Sequence, residues 1–250
     1  MYDDDDLSLL DAEVDLESPL DQMAAVDDPA EAQPDVEEML ALLQAPEVSQ
    51  RMMAARAFCE LQDQRATPFL IAMLLEPCPL VRVSAAYALG RNPSLDAVTP
   101  LITRYHQDWN GYVRKGVVWA LGNCRDRRAL VPLVEALQTD ITAVRLWAAS
   151  SLGQMAEVDV VVAEAAIAPI AETLRQDPMA AVRSNCAWSM GQLCQSIPLG
   201  ETYTQGVEAL LAALQDNDLG VQEDAKAALL KLGDPRGLQT IEELETEGLL

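Results

Sequence analysis

The sequence contains one histidine, His106, and lacks the motifs of several enzyme classes. It has no GxSxG, no P-loop and no HExxH, so the nucleophile, phosphate loop and zinc-ligand spacing that these motifs provide are missing. Its five cysteines include no CxxC pair, which favours free thiols in a reducing cytoplasm over a disulfide framework. We expect no catalytic residues and a cytoplasmic location.

Positive charge is scarce as well. The chain has 17 Lys and Arg against 40 Asp and Glu, a formal net charge of −23. This excess repels phosphate backbones and anionic headgroups, so neither nucleic acid nor a membrane is an expected partner. No apolar run is long enough to span a membrane, and the acidic start is unlike a signal peptide.

The negative charge is concentrated at the N-terminus. Residues 1–50 contain 16 acidic residues and no Lys or Arg. Residues 1–34 have no sustained apolar period, and their charges repel one another. We predict that 1–34 is an acidic, largely disordered tail, and that 35–250 is the folded domain.

The folded part is predicted to be helical and repetitive. Aromatics make up only 4% of the chain, alternating β-branched runs are missing, and Ala and Leu are abundant. The phrase VRVSAAYALG starts at Val81, and close copies start at Val113, Val144 and Val182. Degenerate copies start at residues 50 and 221, which gives six units.

Each copy follows a second apolar helical segment, so a unit is a helix A, a turn, a helix B and a loop. The segment GLQTIEELE has no partner and is expected to cap the C-terminus. No unit can bury its apolar face alone, so the prediction is an all-α solenoid of about six helix pairs. Insertions at 156–166 and 194–206 are expected in B-to-A loops. Glycines are expected at left-handed positions that end the B helices: Gly90, Gly122, Gly153, Gly191 and Gly233.

The phrase VRxxAAxALG, with GDPR and RDRRALVPLVEAL, resembles the HEAT family, in particular the HEAT-like repeats of phycobilisome lyases, over about residues 35–250. In that family the Arg after the Val forms a ladder with the turn carboxylate of a neighbouring unit. The resemblance implies a structural ladder here; binding of phosphate or a carboxylate ligand is the alternative role for these arginines. The matching residues are Arg51, Arg82, Arg114, Arg145 and Arg183, with Glu76, Asp108, Asp140, Asp177 and Asp216 as partners.

Large aromatic residues occupy one face of four successive B helices. Tyr87, Trp119 and Trp188 are seventh in their phrases and Trp147 is fourth, and residues three apart share a helix face. By the family's geometry this face is concave, so the rings would be partner-binding anchors, with Lys115 and Asn185 beside them. Gly116 and Asn185 are expected to leave pocket space around the rings. The alternative is that the rings fill gaps between units as core.

Three cysteines are expected to be exposed, namely Cys78, Cys124 and Cys194. The last two follow B helices two units apart, which separates them by a distance on the order of 20 Å. Zn–S bonds are about 2.3 Å long, so these thiols cannot share a metal ion within the chain. Contact with a partner's iron–sulfur cluster is the functional hypothesis, and an inert thiol is the alternative.

Together these features favour a non-catalytic, protein-binding scaffold that binds no cofactor alone. MYDDDDLSLLDAE and DWNGYVRKGVVWALGNCRDRR are similar to a cyanobacterial member of the HEAT family, and this similarity implies an iron–sulfur carrier as the protein partner. The family also implies two alternatives. One is a phycobilin lyase subunit that attaches phycocyanobilin to a phycobiliprotein cysteine, with the bilin against the tryptophans and Lys115. The other is a phycobilisome-disassembly factor.

Overall fold

The computed structural model describes residues 34–247, which contain thirteen α-helices and no strand. The predicted tail, up to Gln33, lies outside the described residues. The helices are α1 Val36–Leu42, α2 Val48–Ala57, α3 Thr67–Met73, α4 Pro79–Arg91, α5 Leu95–Gln107, α6 Gly111–Cys124, α7 Leu130–Thr139, α8 Thr142–Gln154, α9 Val160–Gln176, α10 Ala180–Ser196, α11 Glu201–Ala213, α12 Leu219–Leu232 and α13 Pro235–Glu247.

The helices alternate between two layers. Odd-numbered helices are the A helices and even-numbered helices are the B helices, and α13 adds a last A helix. Successive B helices pack against each other more extensively than successive A helices do, so the B helices line the inner, concave side of the stack. Six pairs and a final helix confirm the predicted all-α solenoid.

The repeated phrase supplies the core of this stack. Its first residue is fully buried in each of the last five units: Val81, Val113, Val144, Val182 and Val221. Small residues bury the B helices against one another, as Ala85, Ala86 and Ala88 of α4 do with no exposed area. Side chains of this size let neighbouring helix axes approach closely, and the burial of each apolar face depends on the next unit.

Polar side chains set the starts of several helices. Asn110 accepts hydrogen bonds from the backbone N–H groups of Tyr112 and Val113 at the start of α6. Asp35, Ser94, Asp159 and Asp218 cap α1, α5, α9 and α12 in the same way. These caps satisfy N–H groups that have no partner within the helix.

The arginine ladder is confirmed in all five predicted pairs. Each arginine contacts the A–B turn carboxylate of the following unit at an N–O distance of 2.6–2.7 Å. Each of the four aspartates accepts two hydrogen bonds from its arginine, the bidentate geometry that planar guanidinium groups favour. The pairs are Arg51–Glu76, Arg82–Asp108, Arg114–Asp140, Arg145–Asp177 and Arg183–Asp216.

Each ladder arginine also fixes the turn of its own unit. Arg82 Nη1 donates to the carbonyl oxygens of Glu76 and Pro77, both at 2.8 Å. In the last unit Gln222 replaces the arginine, and its Nε2 donates to the Asp216 carbonyl at 2.6 Å. The glutamine keeps the contact within its own unit but carries no charge for a ladder pair with a carboxylate.

The expectation that glycine ends each B helix is confirmed only for Gly233, which has φ 66° at the end of α12. The other four glycines lie inside helices, at points where the next B helix approaches closely. A Cβ atom on Gly122 would lie 2.7 Å from Ser151 Cβ, and one on Gly191 would lie 2.9 Å from Ala228 Cβ. These four positions need glycine because the next B helix packs too closely for a side chain, and not because the helix ends there in a left-handed conformation.

The two insertions are mostly helical, which corrects their prediction as loops. Helix α9 starts at residue 160, inside the first insertion, and continues for 17 residues. In the second insertion, α10 extends to residue 196 and α11 starts at residue 201. The added residues therefore lengthen α9, α10 and α11. No helix between residues 34 and 247 is long and apolar enough to cross a membrane.

Candidate functional site

The four predicted aromatic residues lie on successive B helices, and three of their rings are in contact. The ring centroids of Tyr87 and Trp119 are 5.4 Å apart, and those of Trp119 and Trp147 are 6.4 Å apart with planes at 87°. These distances are in the range of favourable aromatic pairs. We call Tyr87, Trp119, Trp147 and Trp188 the aromatic row.

The rings rest on backbone that glycine leaves open. Trp119 contacts the position that a Cβ atom would occupy on Gly90 of the preceding B helix. Trp188 stands in the same way over Gly153, where a Cβ would be 3.0 Å from its Cζ3. The expected open pocket beside Gly116 is wrong, because a Cβ there would lie 3.2 Å from the ring of Tyr87.

Burial of the row is partial. Trp188 is 43% exposed, and Tyr87, Trp119 and Trp147 are half-buried. One side of each ring therefore packs between units, and the remainder faces solvent. The rings therefore contribute to packing between units and also keep exposed area, and their role as partner-binding anchors stays a prediction.

Cationic and polar side chains support the row. Lys115 is buried, and its ammonium lies 5.3 Å from the ring centroid of Trp147. The guanidinium of Arg91 is 5.9 Å from the ring centroid of Trp119. Both are cation–π contacts. Asn185 Nδ2 donates to the carbonyl of Leu146 at 3.3 Å and so ties α10 to α8.

The expected exposure of Cys124 and Cys194 is wrong. Both thiols are buried, because α6 and α10 extend past their glycines and carry the cysteines into the last helical turn. Cys124 Sγ is 3.7 Å from the carbonyl of Ser94. Burial raises the pKa of Cys194 to about 12 and also raises that of Cys124. Cys78, just before α4, is half-buried.

One residue of the site, Arg91, and one exposed aromatic residue outside it, Trp109, were not predicted from the sequence. Arg91 comes after the repeated phrase and is outside its periodicity, yet its guanidinium reaches Trp119. Trp109 lies in the turn before α6 and is 77% exposed, away from the aromatic row. In the part of the chain that the structure describes, no three His, Cys, Asp or Glu side chains are placed to hold a metal ion.

Comparison with protein-family models identifies the repeat. The model for HEAT repeats matches residues 36–115 and 98–191. The chain belongs to the HEAT-repeat family. The model for the PBS lyase HEAT-like repeat matches residues 182–216. No curated protein matches this HEAT-repeat chain.

Solved structures similar to this HEAT-repeat chain include natural and designed solenoids. The complex of CpcE and CpcF of phycocyanin lyase from Nostoc sp. PCC7120 matches with 26% identity and a TM-score of 0.57, covering 87% of this chain and 85% of that one. A designed armadillo repeat protein matches at 18% identity and TM-score 0.59, covering 79% of this chain and 100% of that one. An engineered protein matches with 21% identity and a TM-score of 0.60, covering 80% of this chain and 98% of that one. The last two show the fold alone.

Proposed function

We propose that this HEAT-repeat chain is a non-catalytic scaffold that holds a cofactor-handling partner protein against the aromatic row. The observation that carries the proposal is the row itself: rings on successive B helices, fixed from one side and open to solvent on the other. Trp and Tyr are enriched among residues that dominate binding energy. Rings that neighbouring units already hold lose little conformational freedom when a partner arrives.

Similarity to the phycocyanin lyase complex supports one class of partner, a phycobiliprotein or the second subunit of a lyase. The similarity extends over most of both chains. The hypothesis of an iron–sulfur carrier rests on the quoted sequence phrases. Burial of Cys124 and Cys194 weighs against a role for these two thiols at a partner's cluster and leaves Cys78 as the candidate.

Coexpression distinguishes the two classes of partner, the phycobiliprotein or lyase subunit and the iron–sulfur carrier. The tagged chain is produced with a phycobiliprotein and a source of bilin, with and without a second lyase subunit, and in parallel with an A-type iron–sulfur carrier. Bilin colour that stays on the denatured phycobiliprotein supports a lyase subunit. Co-purification of the carrier with its cluster, without such colour, supports the iron–sulfur assignment.

Substitutions in the row test the surface itself. With whichever partner co-purifies, Trp188→Ala is expected to weaken binding by about 2 kcal/mol or more, roughly thirtyfold. Trp109→Ala is the matched control, because it removes an equally large and more exposed ring outside the row. Equal affinity of the Trp188 variant and the Trp109 variant, with unchanged circular dichroism, would refute the proposed binding face.

A further inference from the structure

A cavity of about 700 Å³ opens beside the row, at the edge of the stack where B helices lead into the following A helices. We call it the loop-edge cavity. It lies between the loops after α4 and α6. The lining residues used below are Arg91, Ser94, Trp119, Asn123 and Arg125. Its volume falls in the range of small-molecule sites.

Arg91 brings an uncompensated charge to this cavity. Of the fourteen arginines between residues 34 and 247, twelve have a carboxylate oxygen within 4.0 Å; Arg56 and Arg91 have none. In a chain of net charge −23, an arginine without a carboxylate is uncommon. Arg91 is exposed, and its contact with Trp119 holds the guanidinium at the cavity.

Arg125 brings a second charge at a position where glycine is the usual residue. It follows α6 with φ 47°, and it is the one non-glycine residue with positive φ in the described part of the chain. Glycine adopts this left-handed conformation without steric cost and is common after helices. The arginine therefore needs a reason that lies in its side chain.

The ion pair that Arg125 forms does not provide that reason. Its Nη1 is 2.7 Å from Glu157 Oε2, but the two side chains are 55% and 56% exposed. Pairs this exposed contribute little to stability. The pair does show that the Arg125 guanidinium is placed to donate hydrogen bonds to a carboxylate.

We propose that the loop-edge cavity binds a small aromatic carboxylate, with the anion between Arg91 and Arg125 and the ring against Trp119. Two guanidinium groups supply charge-assisted hydrogen bonds, and Ser94 and Asn123 add polar lining. Trp119 also belongs to the aromatic row, so the cavity meets the row at one residue. The inference does not depend on the partner proposed above.

Calorimetric titration of the full chain tests the site with 1-naphthoate, and with neutral 1-naphthamide as the probe that lacks the charge. Naphthoate is expected to bind at least about tenfold more tightly than naphthamide. Arg91→Gln is expected to weaken naphthoate binding about tenfold or more. Arg127→Gln is the matched control and is expected to leave affinity unchanged, because Arg127 lies in the same loop but pairs with Asp159 outside the cavity lining.

Two further variants separate binding from folding. Arg125→Gly relieves the left-handed strain, so this variant should be at least as stable as the wild type while naphthoate binding weakens. Glu157→Gln releases Arg125 and should tighten binding by about two- to fivefold. Equal affinities for naphthoate and naphthamide, no binding of naphthoate, or affinity retained in both arginine variants would overturn the proposal.

Discussion

The strongest stability prediction concerns the most buried step of the ladder, the pair of Arg82 and Asp108. Their side chains are 6% and 0% exposed. Asp108 accepts two hydrogen bonds from Arg82 and a third, at 3.0 Å, from the backbone N–H of Asn110. Asp108→Asn replaces one acceptor by an NH₂ group that faces a guanidinium N–H, and it leaves the arginine charge buried without its counter-ion.

Breaking a buried pair in this way costs about 3–5 kcal/mol. The lower end is expected, because Arg82 keeps its hydrogen bonds to the carbonyls of Glu76 and Pro77. Stability is measured by urea unfolding followed by circular dichroism. Glu172→Gln is the control, since it removes the carboxylate of an exposed pair with Arg175 within α9; pairs of this kind contribute little.

A third variant tests the cause of the loss. Asp108 also lies 3.5 Å from Nη1 of Arg104, whose side chain is more exposed than that of Arg82. Arg82→Met combined with Asp108→Asn removes the more deeply buried of these two charges, so the double variant should be more stable than Asp108→Asn alone. If Asp108→Asn were no less stable than the Glu172 variant, the ladder would not hold the units together and the reasoning would be wrong.

Three other outcomes follow from the described contacts. Hydrogen bonds from its ladder arginine lower the pKa of Asp216. The ionised carboxylate therefore stabilises the folded chain above the ordinary aspartate pKa of about 3.9, and this contribution is lost as pH falls through the lowered folded-state pKa. The urea concentration at the unfolding midpoint should fall below about pH 4, and it should fall less in Asp216→Asn. Gly122→Ala should destabilise the chain by about 1–3 kcal/mol, measured by urea unfolding, because the new Cβ would meet Ser151 at 2.7 Å; no loss would contradict the close approach. Iodoacetamide at pH 8 should modify Cys78 before Cys194 in mass spectra, because burial both shields the Cys194 thiol from the reagent and raises its pKa to about 12, which disfavours the reactive thiolate; the reverse order would contradict this burial.

The periodic features of the fold could be predicted from the sequence. An arginine at one register of every B helix and a carboxylate in every turn can meet only if successive units stack in register. The family resemblance implies the ladder, and the repeat register identifies which residues of this chain form its five ion pairs. Gln222 stands at the arginine position of the sixth unit and keeps only the contact within its own unit.

The ends of the helices were harder to predict from the sequence than the periodic features. A glycine that ends a helix and a glycine that admits a neighbour have the same letter, and only the packing of the next helix distinguishes Gly233 from Gly122. The error carried over to the cysteines. With α6 and α10 assumed to stop at their glycines, Cys124 and Cys194 were expected in loops, whereas the extra helical turn buries them.

The aromatic row could have been predicted better from the pairing of a glycine in one unit with an aromatic residue in the next than from positions within a single unit. Trp119 packs over Gly90, and Trp188 packs over Gly153. In both cases the glycine is the tenth residue of one repeated phrase, and the tryptophan is the seventh residue of the next. In the phrase that follows Gly122 the seventh residue is Ser150, and the ring is carried by Trp147 at the fourth position instead. Because the preceding B helix holds Trp119 and Trp188 from behind, and the following B helix packs against Tyr87 at Gly116, neighbouring units must stack before the row exists. The proposed binding surface is therefore a property of the array, and variants that loosen stacking next to the row should weaken partner binding even where no ring is changed.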